Sequence, residues 1–102
     1  MPFTAFACSY EPIGSTLRLV GSVDESCLAS LRKALEECSE HYTQNLRVDL
    51  TEVDFLPSVG IGVLAKAMYH AEESGNTIEL TTTKGSIVDR VLSITGLPHS
   101  AS

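Results

Sequence analysis

Hydrophobic and polar positions repeat with two different periods along this chain, and the changes of period mark its elements. Phe3 to Tyr10 is apolar and favours extended backbone, and Glu11-Pro12-Ile13-Gly14 breaks it. From Ser15 to Gly21 the period is two: Leu17, Leu19 and Gly21 share one face, Arg18 and Val20 the other. Two such runs joined by a Pro/Gly turn predict a β-hairpin. The period then lengthens. Asp24 or Ser26 can cap a helix, and Leu28, Leu31, Leu35 and Cys38 follow at helical spacing. Arg32, Lys33, Glu36, Glu37 and Glu40 fill the other positions, which predicts an amphipathic helix of about four turns.

Leu46 to Leu50 reads as a short third strand. Thr51 to Pro57 reads as a connection that carries apolar Val53, Phe55 and Leu56, with Glu52 and Asp54 as solvated loop charges and Asp49 at the strand end. Ser58 is placed to cap a second helix with Ile61, Leu64, Met68 and Ala71 inward, and Gly75 ends it. Thr77 to Thr83 alternates and is β-branched, a fourth strand. Ser86 to Thr95 forms a third helix with Ile87, Val88, Val91 and Leu92 inward, stopped by Gly96-Leu97-Pro98. The tail from His99 to Ser102 is predicted to fray.

The order β-β-α-β-α-β-α predicts an α/β fold. A mixed sheet of about four strands, its parallel pairs joined by right-handed crossovers, is packed by three or more helices. With 102 residues and no repeat or internal boundary, residues 1–102 are expected to form a single domain.

Composition narrows the function classes. Hydrophobic residues make up 43 % and charged residues 20 %, which fits a soluble globular domain. The net charge is −6 without a Lys/Arg cluster, so the footprint of a nucleic-acid binder is missing and a basic partner surface is favoured. No apolar run approaches the roughly 18 residues of a membrane span. Met1-Pro2-Phe3-Thr4 lacks the start of a signal peptide, so a cytoplasmic chain without membrane attachment is expected. Cys8, Cys27 and Cys38 are odd in number and form no CxxC pair, which favours reduced thiols over a disulfide switch. His41, His70 and His99 lack ligand spacing with them, and no metal or cofactor is expected. His41 and His70 fall near helix ends or on exposed faces. No Ser/His/Asp arrangement, nucleophile elbow, P-loop or carboxylate pair stands out, so the chain reads as a non-enzyme.

The stretch from Asp49 to Leu64, DLTEVDFLPSVGIGVL, carries the functional information. Gly60 and Gly62 in the first turn of a helix each lower helix propensity by about 1 kcal/mol. Such a sacrifice points to a close approach. The free N–H groups of a helix start favour negative charge, so a phosphoryl group on Ser58 would be supported there. A plain N-cap serine, contributing about 1 kcal/mol, is the local alternative.

This stretch resembles the signature of STAS-domain anti-anti-sigma factors, also called anti-sigma factor antagonists. Asp49, Leu50, Val53 and Phe55 match that signature. Ser58 falls on its phosphorylated serine, and Gly60-Ile61-Gly62 on its Gly-Leu-Gly. Leu17-Arg18-Leu19-Val20-Gly21-Ser22-Val23-Asp24 resembles the family's strand-turn segment, and Val91-Leu92 with Thr95-Gly96-Leu97 its ending. Pro57 stands where the family places aspartate, and Val59 where it places serine or threonine.

The resemblance implies a STAS fold. It further implies a module, monomeric or weakly dimeric, that binds an anti-sigma factor of the GHKL serine-kinase type and releases its sigma factor. Phosphorylation of Ser58 would switch it off. Asp24 would lie near the serine, and Asp24, Asp54, Pro57, Ser58, Val59, Gly60 and Gly62 would form the partner contact. Pro57 and Val59 favour the alternative, a STAS scaffold without a phosphorylation switch in a stressosome-like or transport-associated assembly.

Overall fold

The computed structural model describes residues 5–102. β1 (Ala7–Glu11) and β2 (Thr16–Ser22) form the antiparallel hairpin, with Ala7 opposite Val20 and Glu11 opposite Thr16. Glu11 is therefore strand rather than turn, and Phe3 of the predicted strand lies outside the described residues. β2, β3 (Leu46–Phe55), β4 (Ile78–Thr82) and β5 (Ser100–Ala101) are mutually parallel, and the sheet order is β1-β2-β3-β4-β5. α1 (Leu28–Cys38), α2 (Ser58–Glu73) and α3 (Ile87–Thr95) lie in the three crossovers. Each crossover steps to the next strand in the same direction, so right-handed connections place all three helices over one sheet face.

Burial agrees with this. Leu17 and Leu19, Leu46, Val48 and Leu50, and Ile78 and Leu80 alternate inward and are closed over by Leu31, Leu35, Leu64, Val88 and Leu92. The intervening Arg18, Arg47 and Glu79 face solvent. Arg18 lies 3.7 Å from Glu11 and 3.6 Å from Asp49, and Arg47 3.4 Å from Glu79. These exposed pairs contribute at most about 1 kcal/mol each; the inward layer is what specifies the register.

The caps follow the sequence closely. Asp24 caps a short 3-10 turn, Glu25–Cys27, which with α1 completes the four predicted turns. Gly75 and Gly96 adopt positive φ beyond α2 and α3. Asn76 N–H then donates to the Ala71 carbonyl (2.8 Å) and Leu97 N–H to that of Leu92 (3.1 Å), the bonding that ends a helix at such a glycine.

Three expectations are corrected. Thr51 to Phe55 is not a connection but the second half of β3. β3 carries an extra residue at each of two register shifts: Arg18 pairs with Asp49 but Val20 with Glu52, and Gly21 pairs with Val53 but Ser22 with Phe55. Glu52 and Asp54 are therefore exposed strand residues, and Asp49 sits inside the strand. Second, the tail does not fray: Ser100 and Ala101 pair with Thr81 and Thr82 as a fifth strand. His99 anchors it, Nε2 to Asp89 Oδ1 and Nδ1 to the Leu97 carbonyl, both at 2.8 Å. Third, Ile87 faces solvent while Val88 and Leu92 carry the packing of α3.

Candidate functional site

In parallel α/β sheets the segments leaving the C-terminal ends of the strands gather at one edge and form binding surfaces there. β2 and β3 end side by side, fastened by a 3.0 Å bond from the Val23 N–H to the Phe55 carbonyl. The chain then runs through Asp24 on one side and Pro57 on the other. The first turn of α2 rests directly on this junction. A Cβ on Gly60 would meet Leu56 Cδ1 at 3.0 Å and Val23 Cγ1 at 3.2 Å. Gly60 is glycine because the helix approaches the Val23 segment too closely for a side chain.

Gly62 differs. It is exposed, and a Cβ there would meet nothing within 4 Å. No packing among the described residues explains its lack of a side chain.

Ser58 does not cap α2. The cap is Pro57 (φ −74°, ψ 165°), whose carbonyl accepts the first helical bond from the Ile61 N–H at 3.0 Å. Ser58 is the first helical residue, one position later than expected. It is exposed, and among the described residues its hydroxyl has no hydrogen-bond partner. The amides of Ser58, Val59 and Gly60 precede that first bond and point out of the helix end. Phe55 and Val59, 46 % and 47 % exposed, flank the serine in sequence.

Asp24 Oδ1 accepts from the Ser26 N–H (2.8 Å) and the Ser26 hydroxyl (2.5 Å). These bonds hold its carboxyl below the usual carboxylate range, so an exposed, fixed negative charge stands at the end of β2. Behind it the buried Cys27 thiol completes the cap, accepting from the Asp24 N–H at 3.1 Å and donating to the Asp24 carbonyl at 3.2 Å. The cysteines are free thiols: Cys8 exposed, Cys27 buried, Cys38 half-buried.

The structure thus brings Asp24, Pro57, Ser58, Val59, Gly60 and Gly62 to one edge. Asp54 leads into it, exposed near the end of β3. Phe55 is a further exposed member, read from the sequence only as an apolar connector. Two buried hydroxyls were also missed. Ser22 and Thr82, at the ends of β2 and β4, have no partner among the described residues. The phase of Ile78, Leu80 and Thr82 signals the latter. Among the described residues no His/Cys/Asp/Glu group could hold a metal ion, and no helix is long and apolar enough to cross a membrane.

Comparison with known proteins fits this architecture. The chain is similar in fold to an anti-sigma factor antagonist from Mycobacterium paratuberculosis, with TM-score 0.80 and 20 % identity, covering 96 % of this chain and 87 % of that one. It is also similar to a candidate anti-sigma factor antagonist from Thermotoga maritima, with TM-score 0.70 and 17 % identity, covering 95 % and 86 %. No curated protein matches the sequence. A family model described as Mlab, STAS domain matches residues 7–99. With that match over most of its length and a five-stranded sheet under three helices, the chain belongs to the STAS-domain family.

Proposed function

We propose that this STAS domain is an anti-sigma factor antagonist of the cytoplasm, a binding module rather than an enzyme. Unphosphorylated, the edge formed by Asp24, Asp54, Pro57, Ser58, Val59, Gly60 and Gly62 docks an anti-sigma factor of the GHKL serine-kinase type and frees its sigma factor. Phosphorylation ends the contact. One observation carries the reading: Ser58 offers an exposed hydroxyl with no hydrogen-bond partner among the described residues, in the first turn of a helix. A serine with no structural task there is available to a kinase.

Phosphoryl transfer would join the γ-phosphorus of ATP to Ser58 Oγ, with the hydroxyl proton and ADP as the departing products. The free amides of the first turn support the new charge of about −1.5 to −2. Asp24, held ionised by Ser26, adds a second negative charge to the same edge. Repulsion and the desolvation of both charges then oppose docking.

Incubation of wild type and Ser58→Ala with the partner kinase and ATP, followed by intact mass, tests the chemistry. One added phosphoryl group on wild type and none on Ser58→Ala is the expected result. Phosphoryl transfer to both proteins alike would place the modification elsewhere.

A second reading is favoured by Pro57 and Val59. A fixed proline cap without a neighbouring carboxylate suits a permanent contact in a larger assembly as well as a switched one. Absence of any mass change on wild type would favour that scaffold.

A further inference from the structure

The two edges of the sheet are finished differently. β5, at one edge, is two residues long, and so short an edge strand resists pairing with another chain. β1, at the other edge, runs for five residues in unbroken register with β2. It contains no Lys, Pro or bulge, and every one of its residues is exposed. Its outer side pairs with no strand among the described residues.

The ladder shows which backbone groups lie on that side. The Arg47 N–H donates to the Ser15 carbonyl at 2.9 Å, so Ser15 turns its backbone groups toward β3. Alternation turns Leu17 and Leu19 the same way, and Thr16, Arg18 and Val20 toward β1. Their partners Glu11, Ser9 and Ala7 therefore bond to β2. Cys8 and Tyr10 point their N–H and C=O groups outward. Opposed residues of an antiparallel pair share a face, and Cys8 and Tyr10 oppose the buried Leu19 and Leu17. Both side chains thus project on the helix side of the sheet, where both are exposed.

We propose that β1 is a self-association edge, which takes the β1 of a second copy antiparallel about a two-fold axis at Ser9. A row of outward donors and acceptors selects an extended strand, and a strand paired antiparallel with its own copy closes on itself. In this register Cys8 of each copy opposes Tyr10 of the other, and all their outward backbone groups are bonded. Each Glu11 opposes an Ala7 rather than the other Glu11, so no like charges meet across the strands. Each Tyr10 ring falls beside a Cys8 thiol, a favourable sulfur–aromatic contact. The helices leave room. α1 packs on β2, and the two β2 strands would lie about 14 Å apart, beyond the roughly 8–10 Å at which helices pack. Five residues a side fall well below the roughly 20–30 of a stable interface, so the dimer is weak and forms at high concentration. Its axis is perpendicular to the sheet, which leaves the two Ser58 edges open and facing opposite ways. The dimer forms whether or not Ser58 is phosphorylated.

Cysteine cross-linking of the full chain tests the register, with Cys8→Ser and Cys38→Ser as background. The Cα atoms of an opposed, non-hydrogen-bonded pair lie about 4.5 Å apart, within disulfide range. With oxidised glutathione, Ser9→Cys should form a disulfide dimer at least tenfold faster than Ala7→Cys or Glu11→Cys alone. A mixture of Ala7→Cys and Glu11→Cys should cross-link one to the other. Sedimentation equilibrium of the wild type under reducing conditions should show a monomer–dimer equilibrium at millimolar concentration. Tyr10→Lys, which adds charge to the edge, should weaken it at least tenfold with far-UV circular dichroism unchanged, and Ser58→Glu should leave it intact. Equal cross-linking at the three positions, or a monomer at every concentration, overturns the proposal. So does association that Tyr10→Lys leaves intact.

Discussion

Ser58, Val59 and Gly62 share the outward side of the first turns of α2, yet the two glycines of that helix are there for opposite reasons. Gly60 is filled around by Leu56 and Val23, so a side chain must displace them. Gly62 has open space around it. Gly62→Ala should therefore stabilise the isolated domain by about 1 kcal/mol, a rise in Tm of about 4–8 °C, and should weaken partner docking by crowding the contact. Thermal unfolding and a binding titration on the same protein check both halves. A rise in Tm with unchanged affinity would remove Gly62 from the interface. The sequence placed the glycines and the serine together, but it could not separate their roles, because Val23, which crowds Gly60 from the segment just after β2, is far away in sequence. It also set the helix cap one residue late, since proline, without a side-chain acceptor, is not recognisable as a cap from pattern alone.

At the scale of elements, α3 divides its apolar residues between a packed face and an open one. Leu92 is fully buried, so Leu92→Ala should destabilise by about 2–5 kcal/mol. Ile94→Ala, on the open face, should stay within about 0.5 kcal/mol. Denaturant midpoints of the two variants measure the difference, and similar losses would mean that the outer stripe is packed after all. The sequence turned Ile87 inward because Ile87, Val88, Val91 and Leu92 satisfy helical spacing equally well. Only the sheet beneath decides which pair is buried.

β5 was not legible for a related reason. Two paired residues carry almost no pattern, and what fixes them is His99 meeting Asp89 ten residues away. Its partners set the pH behaviour. The Leu97 carbonyl and the Asp89 carboxylate, each accepting from one ring nitrogen, raise His99 above the usual histidine value. The Gly85 N–H and His99 lower Asp89 below the usual carboxylate value. A raised histidine stabilises the fold below its unfolded pKa, about 6.5, and loses that contribution as pH rises through the folded value. A lowered aspartate stabilises above its unfolded pKa, about 3.9, and loses it as pH falls. The Tm gap between wild type and His99→Gln should therefore be widest near pH 5 and narrow by about pH 8. A gap independent of pH would show that the anchor is not ionic.

The whole molecule is a one-sided sheet. Its helices cover one face, a charged ladder crosses the other, and the β2 and β3 ends gather the serine loop at one edge. This much was readable from order and period, since β-α-β units constrain handedness and side alike. The two register shifts between β2 and β3 were not. Each takes up an extra β3 residue, so β3 runs on to Phe55 while β2 ends at Ser22.

The affinity of the proposed anti-sigma kinase for Ser58→Ala and Ser58→Glu, titrated side by side with wild type, decides whether charge at Ser58 controls docking. Ser58→Ala should bind like the unphosphorylated domain, and Ser58→Glu at least tenfold more weakly, a difference of about 1.4 kcal/mol. If Ser58→Glu binds as tightly as Ser58→Ala, charge at this helix start does not control docking, and Ser58 is not the switch.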